Sequence, residues 1–169
     1  MKVICVTGTP GTGKTTLSKN LAFGLNFLYL DVNQIISKYK LAEGYDKRRR
    51  TKIVDTNKLN KFLIDEIKTI LGKNKIKKPE GIIIDSHLSH YLPRKYVNLC
   101  IVTKCDISDL NKRLKKKDFH KSKIRENIEA EIFDICLNEA KERKHKIIIV
   151  NTSKGFNIDT IYQKIKYLI

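Results

Sequence analysis

The sequence predicts an α/β protein, a five-stranded parallel sheet held between two helical layers. Three observations carry this. Short β-branched runs at Lys2–Thr7, Gly81–Asp85 and 146–150 are apolar without alternation, as strands covered on both faces are. Segments with helical periodicity lie between them. The chain has 169 residues, enough for one sizeable core and therefore one domain, 1–169.

The elements follow in order. The strand Lys2–Thr7 runs into a glycine-rich turn, and Leu17, Leu21 and Leu25 mark the apolar stripe of the next helix. A second strand is expected at 27–30. Residues 31–55 are polar and contain Glu43-Gly44-Tyr45-Asp46 followed by Lys47-Arg48-Arg49-Arg50; they read as an insertion over a sheet edge. Leu59, Phe62, Leu63, Ile67, Ile70 and Leu71 form a helical stripe, with Thr56 as cap and Gly72 as stop. Residues 73–78 read as a solvated loop. Strands at Gly81–Asp85 and 97–102 come next. Asp106, with Asp109 three residues later, starts a helix that runs into the lysines of 112–117. A basic stretch, 115–125, is interrupted at Asp118-Phe119-His120. Ile124, Ile128, Ile132, Cys136 and Ala140 recur every fourth residue as a further helical stripe. The strand 146–150 and the stripe Ile158, Ile161, Ile165 and Leu168 close the chain.

Composition narrows the class. Hydrophobic residues make up 41%, which excludes a mainly disordered chain. The longest apolar runs, such as Ile147-Ile148-Ile149-Val150, are too short to cross a bilayer. The apolar stretch Val3-Ile4-Cys5-Val6 ends at Thr7-Gly8, so no signal peptide is expected. Cys5, Cys100, Cys105 and Cys136 form no C-x-x-C pair, and the expectation is reduced, mostly buried thiols in a cytoplasmic protein rather than a metal site. The 35 Lys+Arg against 18 Asp+Glu give a net charge of +17. That suits phosphate-rich ligands or nucleic acid, although lysine is spread along the whole chain.

Chemistry enters with Gly8-Thr9-Pro10-Gly11-Thr12-Gly13-Lys14-Thr15, which matches G-x-x-x-x-G-K-[ST] at every fixed position. Its glycines let the backbone curl so that successive N–H groups point inward, backed by the positive end of the following helix. Lys14 adds a point charge for the β- and γ-phosphates, Thr15 a hydroxyl for Mg²⁺, and Thr16 a hydroxyl for the α-phosphate. Asp85 ends a buried strand, Gly81-Ile82-Ile83-Ile84-Asp85, where a carboxylate stands beside such a metal. His87 follows in Ser86-His87-Leu88-Ser89-His90; it either orients a water or phosphoryl acceptor or hydrogen-bonds the loop. His90, His120 and His145 are read as structural.

These strings together resemble the adenylate kinase isoenzyme 6 family, small P-loop proteins of archaea and eukaryotic nuclei. The likeness rests on the phosphate loop through Thr16, on Glu43-Gly44-Tyr45-Asp46 with Val54-Asp55, and on Asp85-Ser86-His87 with Pro93. Arg113-Leu114 and Glu126-Asn127-Ile128-Glu129-Ala130-Glu131-Ile132 extend it. It implies a P-loop fold of the nucleoside monophosphate kinase kind. By position, Gly11, Gly13, Lys14, Thr15 and Thr16 would hold ATP, Asp85 and Thr15 would serve Mg²⁺, and Lys14, Asp85 and His87 would act in catalysis. Residues 31–55 become the monophosphate-binding arm and 116–126 a short lid. The lid departs from the family pattern, with Lys117 where a phosphate-facing arginine is expected, which keeps charge but loses the two-pronged geometry. Asp118 replaces a glycine.

The function this implies is Mg²⁺-dependent transfer from ATP to AMP giving ADP, with ATPase activity and a part in small ribosomal subunit maturation. Lys117 and Arg113 would close over the phosphates, and Arg49 or Arg50 would either grip the AMP phosphate or belong to a solvated basic turn. A rival reading is an ATP-hydrolysing assembly factor bound to a small-subunit ribosomal protein or pre-ribosomal RNA. A third is a P-loop kinase for another small acceptor.

Overall fold

A computed structural model describes residues 1–47, 50–72, 79–117 and 119–169. Five strands form one parallel sheet: β1 (Lys2–Thr7), β2 (Leu28–Asp31), β5 (Gly81–Asp85), β6 (Leu99–Lys104) and β7 (Ile147–Asn151), in the order β2-β5-β1-β6-β7. The expected strands are present, three of them displaced by one or two residues, within the usual uncertainty of strand ends. Register is continuous, with Val6 beside Asp85 on one side and beside Ile101 on the other.

The apolar runs have no alternation because both faces are covered. Val3, Cys5, Ile82, Ile84, Cys100 and Val102 point to one layer, which contains α2 (Val32–Lys38), α3 (Thr56–Gly72) and α6 (Ile135–Glu142). Ile4, Val6, Ile83, Ile101 and Ile148 point to the other, formed by α1 (Lys14–Gly24) and α7 (Ile158–Leu168). A smaller cluster of Cys105, Leu110 and Leu114 with Phe119, Ile124 and Ile128 joins α4 (Ile107–Lys116) to α5 (Lys121–Ile132).

Three local expectations change. Residues 31–55 are built rather than merely polar. They hold α2 and an antiparallel hairpin, β3 (Ala42–Asp46) with β4 (Thr51–Val54). Asp55, not Thr56, caps α3, because its Oδ1 accepts from the amides of Asn57 and Lys58 at 2.7 and 3.3 Å. Asp106 starts α4 as expected, as its N-cap residue, with its carboxylate accepting from Asn151 rather than from the helix amides. The every-fourth-residue stripe from 124 to 140 is two helices, broken at Asp134, whose φ is 53°. Residues 73–78 lie outside the described residues.

β1 is flanked by β5 and β6, so its carboxyl end is where the chain's connections part to opposite sides. Open parallel sheets bind ligands at such points.

Candidate active site

The glycine-rich turn leaves β1 at this point. Gly8 has φ 137°, and a Cβ there would lie 2.4 Å from Thr103 Oγ1 and 2.5 Å from Thr103 O, so only glycine fits between β1 and β6. Gly13, at φ 84°, is the N-cap of α1 without a side-chain cap, which leaves the first amides of that helix open to an anion. Thr12 braces the turn: its Oγ1 donates to Thr9 O at 2.7 Å, lies 2.6 Å from Thr103 Oγ1, and its carbonyl accepts from Thr152.

Lys14 Nζ donates to the carbonyls of Gly8 and Thr9 at 2.8 and 2.9 Å. Burial lowers its pKa to about 8, opposed by Cys136 and Asp85 and aided by Lys117. Thr15 and Thr16 are exposed at the start of α1. Asp85 is 4% exposed, and its Oδ2 accepts from Tyr29 Oη at 2.9 Å. Tyr29 stays protonated, because burial and then the Asp85 charge raise its pKa. This hydrogen bond holds one carboxylate oxygen to β2, while Asp85 also lines the cavity.

These groups share one cavity of about 930 Å³, lined by Thr9–Gly11 and Gly13–Thr16 of the turn and by Asp85–Leu88 after β5. Asn33 and Thr51 come from the arm, Arg113, Lys116 and Lys117 from the end of α4, and Lys123, Asn127 and Glu139 from the helices beyond. His87 is solvent-accessible within it. The surrounding protein, then the charges of Lys14 and Lys123, push its pKa down to about 4. The ring is therefore a neutral acceptor at pH 7.

The predicted ligand set is thus gathered: Gly11, Gly13, Lys14, Thr15, Thr16, Asp85, His87 and Lys117 all line the cavity. Two expected contacts are not. Arg113 lines it, but its guanidinium is engaged with Thr152 Oγ1 at 3.0 Å and Thr152 O at 2.7 Å, so it fastens the loop after β7 rather than closing over the turn. Arg50 is exposed at φ 48° in the hairpin turn and is absent from the lining; Arg49 and Asp118 lie outside the described residues. Residues 116–126 comprise the end of α4, a short corner and the start of α5. His90 and His145 are buried in a hydrogen-bonded network, as read from sequence. Cys5, Cys100 and Cys105 are buried, and Cys136 is half-buried at the cavity wall.

Three participants escape sequence reasoning. Tyr29 orients Asp85. Lys123, largely buried against Glu126, adds a cation from α5. Glu131, 4% exposed, accepts from Thr9 Oγ1 at 2.6 Å and from Cys105 N at 2.9 Å, tying α5 to the turn. The sequence signs of it are its place in the family-like string 126–132 and a carboxylate on the buried face of α5, one helical turn from Ile128 and Asn127.

Magnesium fits this donor set. The Thr15 hydroxyl and the Asp85 carboxylate are hard ligands. Mg²⁺ takes one or two protein oxygens and completes its shell with water and phosphate. Among the described residues no three His, Cys, Asp or Glu side chains form a metal cage. No helix among them is long and apolar enough to cross a membrane.

Comparison with known proteins extends the likeness beyond the turn. A family model described as an AAA domain matches residues 4–134. The chain is 38% identical over 164 residues to a Methanocaldococcus jannaschii protein named "Putative adenylate kinase", covering 97% of this chain and 86% of the relative. It is 31% identical over 147 residues to the Dictyostelium discoideum adenylate kinase isoenzyme 6 homolog, covering 87% and 78%. Among solved structures, shikimate kinase from Acinetobacter baumannii in complex with shikimate superposes with TM-score 0.60 at 16% identity, covering 99% of this chain and 92% of that one; this likeness concerns the P-loop kinase fold alone. Because these relatives match at more than 30% identity over most of this chain and most of their own length, the chain belongs to the adenylate kinase isoenzyme 6 family.

Proposed function

We propose that the protein is a magnesium-dependent adenylate kinase that transfers the γ-phosphoryl group of ATP to AMP, giving two ADP. One observation supports this most: the turn, Asp85 and His87 share a single cavity with the 31–55 arm and the α4–α5 corner. A donor and an acceptor can meet there.

The residue roles follow from the chemistry. An acceptor phosphate oxygen attacks the γ-phosphorus while the bond to the β–γ bridging oxygen breaks. The transition state needs charge neutralisation and alignment more than covalent help. Lys14 exchanges two carbonyl partners for phosphate oxygens, and the amides of Gly11, Gly13 and the first turn of α1 hold the same group. Thr16 serves the α-phosphate. Thr15 and Asp85 would hold Mg²⁺, which supplies further positive charge to the phosphates. Lys117, with Lys116, covers the site from the corner and helps exclude water. His87, as a neutral imidazole, donates its ring N–H to the attacking phosphate oxygen or accepts a hydrogen bond from water.

That last property favours a second reading beside the first. A water-accessible neutral imidazole beside Lys14 suits hydrolysis of ATP. The +17 charge suits contact with pre-ribosomal RNA. An ATPase working on a small-subunit ribosomal protein in the cytoplasm is that alternative, and a kinase for another small acceptor is the remaining one.

An acceptor screen separates them. The protein is incubated with ATP, Mg²⁺ and each nucleoside monophosphate in turn, and diphosphate formation is scored against free phosphate. AMP-dependent ADP is expected. Phosphate release unaffected by any monophosphate would replace the kinase with the ATPase.

A further inference from the structure

We propose that Thr7, His90 and Glu139 form a hydrogen-bonded positioning chain that fixes the turn 86–91, and with it His87, against the phosphate-binding loop. The inference rests on the role given to His87 above.

The chain of contacts is continuous. Thr7, the last residue of β1, places Oγ1 2.7 Å from His90 Nδ1. The opposite ring nitrogen, Nε2, lies 2.9 Å from Glu139 Oε2 on α6. Glu139 accepts a second bond, from Tyr91 Oη at 2.7 Å, and Arg143 lies over the Tyr91 ring at 4.5 Å. Two successive residues of the turn are thus clamped to one carboxylate.

The donors can be assigned by elimination. An ionised carboxylate only accepts, so Nε2 carries the ring proton and Nδ1 accepts. The Thr7 hydroxyl therefore donates to Nδ1, the shorter contact, rather than to His87 O at 3.4 Å. The arrangement needs a neutral His90, and burial lowers its pKa, which favours that state. His145 donates from Nε2 to His90 O at 2.9 Å, and Ser89 Oγ lies within bonding distance of Val6 O and Ser86 O. A histidine placed merely to fill space does not require both ring nitrogens to be satisfied by different elements. Here they join β1 to α6 across the turn that carries His87.

The test is a double-mutant cycle on the full chain. His90→Gln keeps a donor for Glu139 and loses the acceptor for Thr7. Expected is a fall in kcat of about tenfold with little change in KM for ATP. In a His87→Ala background the same change should alter kcat by less than about twofold, because the two residues act as one unit. An equal loss in both backgrounds overturns the proposal. If His87→Ala alone leaves kcat intact, the catalytic role of His87 falls. The positioning chain is then judged by the acylation rate of His87 with diethyl pyrocarbonate, followed by mass spectrometry. A rise of at least about threefold in His90→Gln is expected as the turn loosens, and an unchanged rate overturns the proposal. Glu139→Ala, which removes the acceptor of both His90 Nε2–H and Tyr91 Oη, should reproduce both effects if His90→Gln does not fold.

Discussion

Lys14 is bonded to two loop carbonyls, those of Gly8 and Thr9, and not to a carboxylate. Phosphate oxygens can replace these partners without breaking an ion pair, so little of the binding energy is spent on release. Thr9 O also accepts from Thr12, so that carbonyl remains paired after the exchange. Lys14→Ala should therefore leave folding nearly unchanged and lower kcat by about 10²–10³, the loss seen when one transition-state donor is removed. A coupled assay for ADP checks this; a wild-type rate would remove Lys14 from the chemistry. At this scale the sequence was informative where residues are covalently close. The spacing of Gly8, Gly13, Lys14 and Thr15 is itself the geometry of the turn. Tyr29 was not legible, because its partner Asp85 is distant in sequence and meets it only through the β2–β5 pairing, in which Leu30 lies beside Ile84.

Elements show the same division. Strands and the α1, α3 and α7 stripes were readable because burial on both faces or one face leaves a periodic trace. The α5–α6 break was not. At 3.6 residues per turn, each step of four overshoots by about 40°, so the stripe leaves the core, and Ile132 ends 57% exposed. Lys104 then completes the corner, donating to Glu131 O at 2.9 Å and pairing with Asp134. The hairpin β3–β4 was hidden because three of the five residues of β3 are charged or glycine. Its exposed strands rest on cross-strand pairing rather than on core burial. Glu131 is the residue through which α5 acts on the site. Glu131→Ala would leave Thr9 Oγ1 and Cys105 N without their acceptor and remove a partner of Lys104. Hydrogen bonds to a charged group are worth about 1.5–3 kcal/mol each. With partial relaxation the expected loss is about 2–3 kcal/mol, read as a lower urea midpoint, together with weaker ATP binding as the turn loosens. Glu131→Gln, which keeps one acceptor, should lose less; equal stability of Glu131→Ala and wild type would show that α5 does not brace the turn.

Across the whole molecule, three histidines stand behind the carboxyl ends of the sheet in their neutral form. For His90 and His145 burial is the largest cause, with Arg143 adding to it; for His87, exposed at the cavity wall, it is desolvation by the surrounding protein and then the charges of Lys14 and Lys123. Each folded pKa lies below the unfolded value of about 6.5. Between the two values the unfolded chain binds protons that the folded chain does not, so stability rises with pH in that window and falls as pH drops below 6.5. His90 and His145, which are 1% and 8% exposed, each contribute a slope of up to about 1.4 kcal/mol per pH unit there. His87 is water-accessible, so its window reaches toward pH 4 but its share is screened. Protonating His90 would put a charge on a ring only 1% exposed, so acid should weaken the turn 86–91 together with the fold. Urea midpoints measured from pH 7.5 to 5 should hold steady above about 7 and fall steadily below 6.5. His145→Gln removes one titrating group and should make that fall shallower, even if the variant starts from a lower midpoint. A midpoint constant down to pH 5 would mean that His90 and His145 titrate alike in the folded and unfolded chain, and that the polar network behind the His87 turn is open to water.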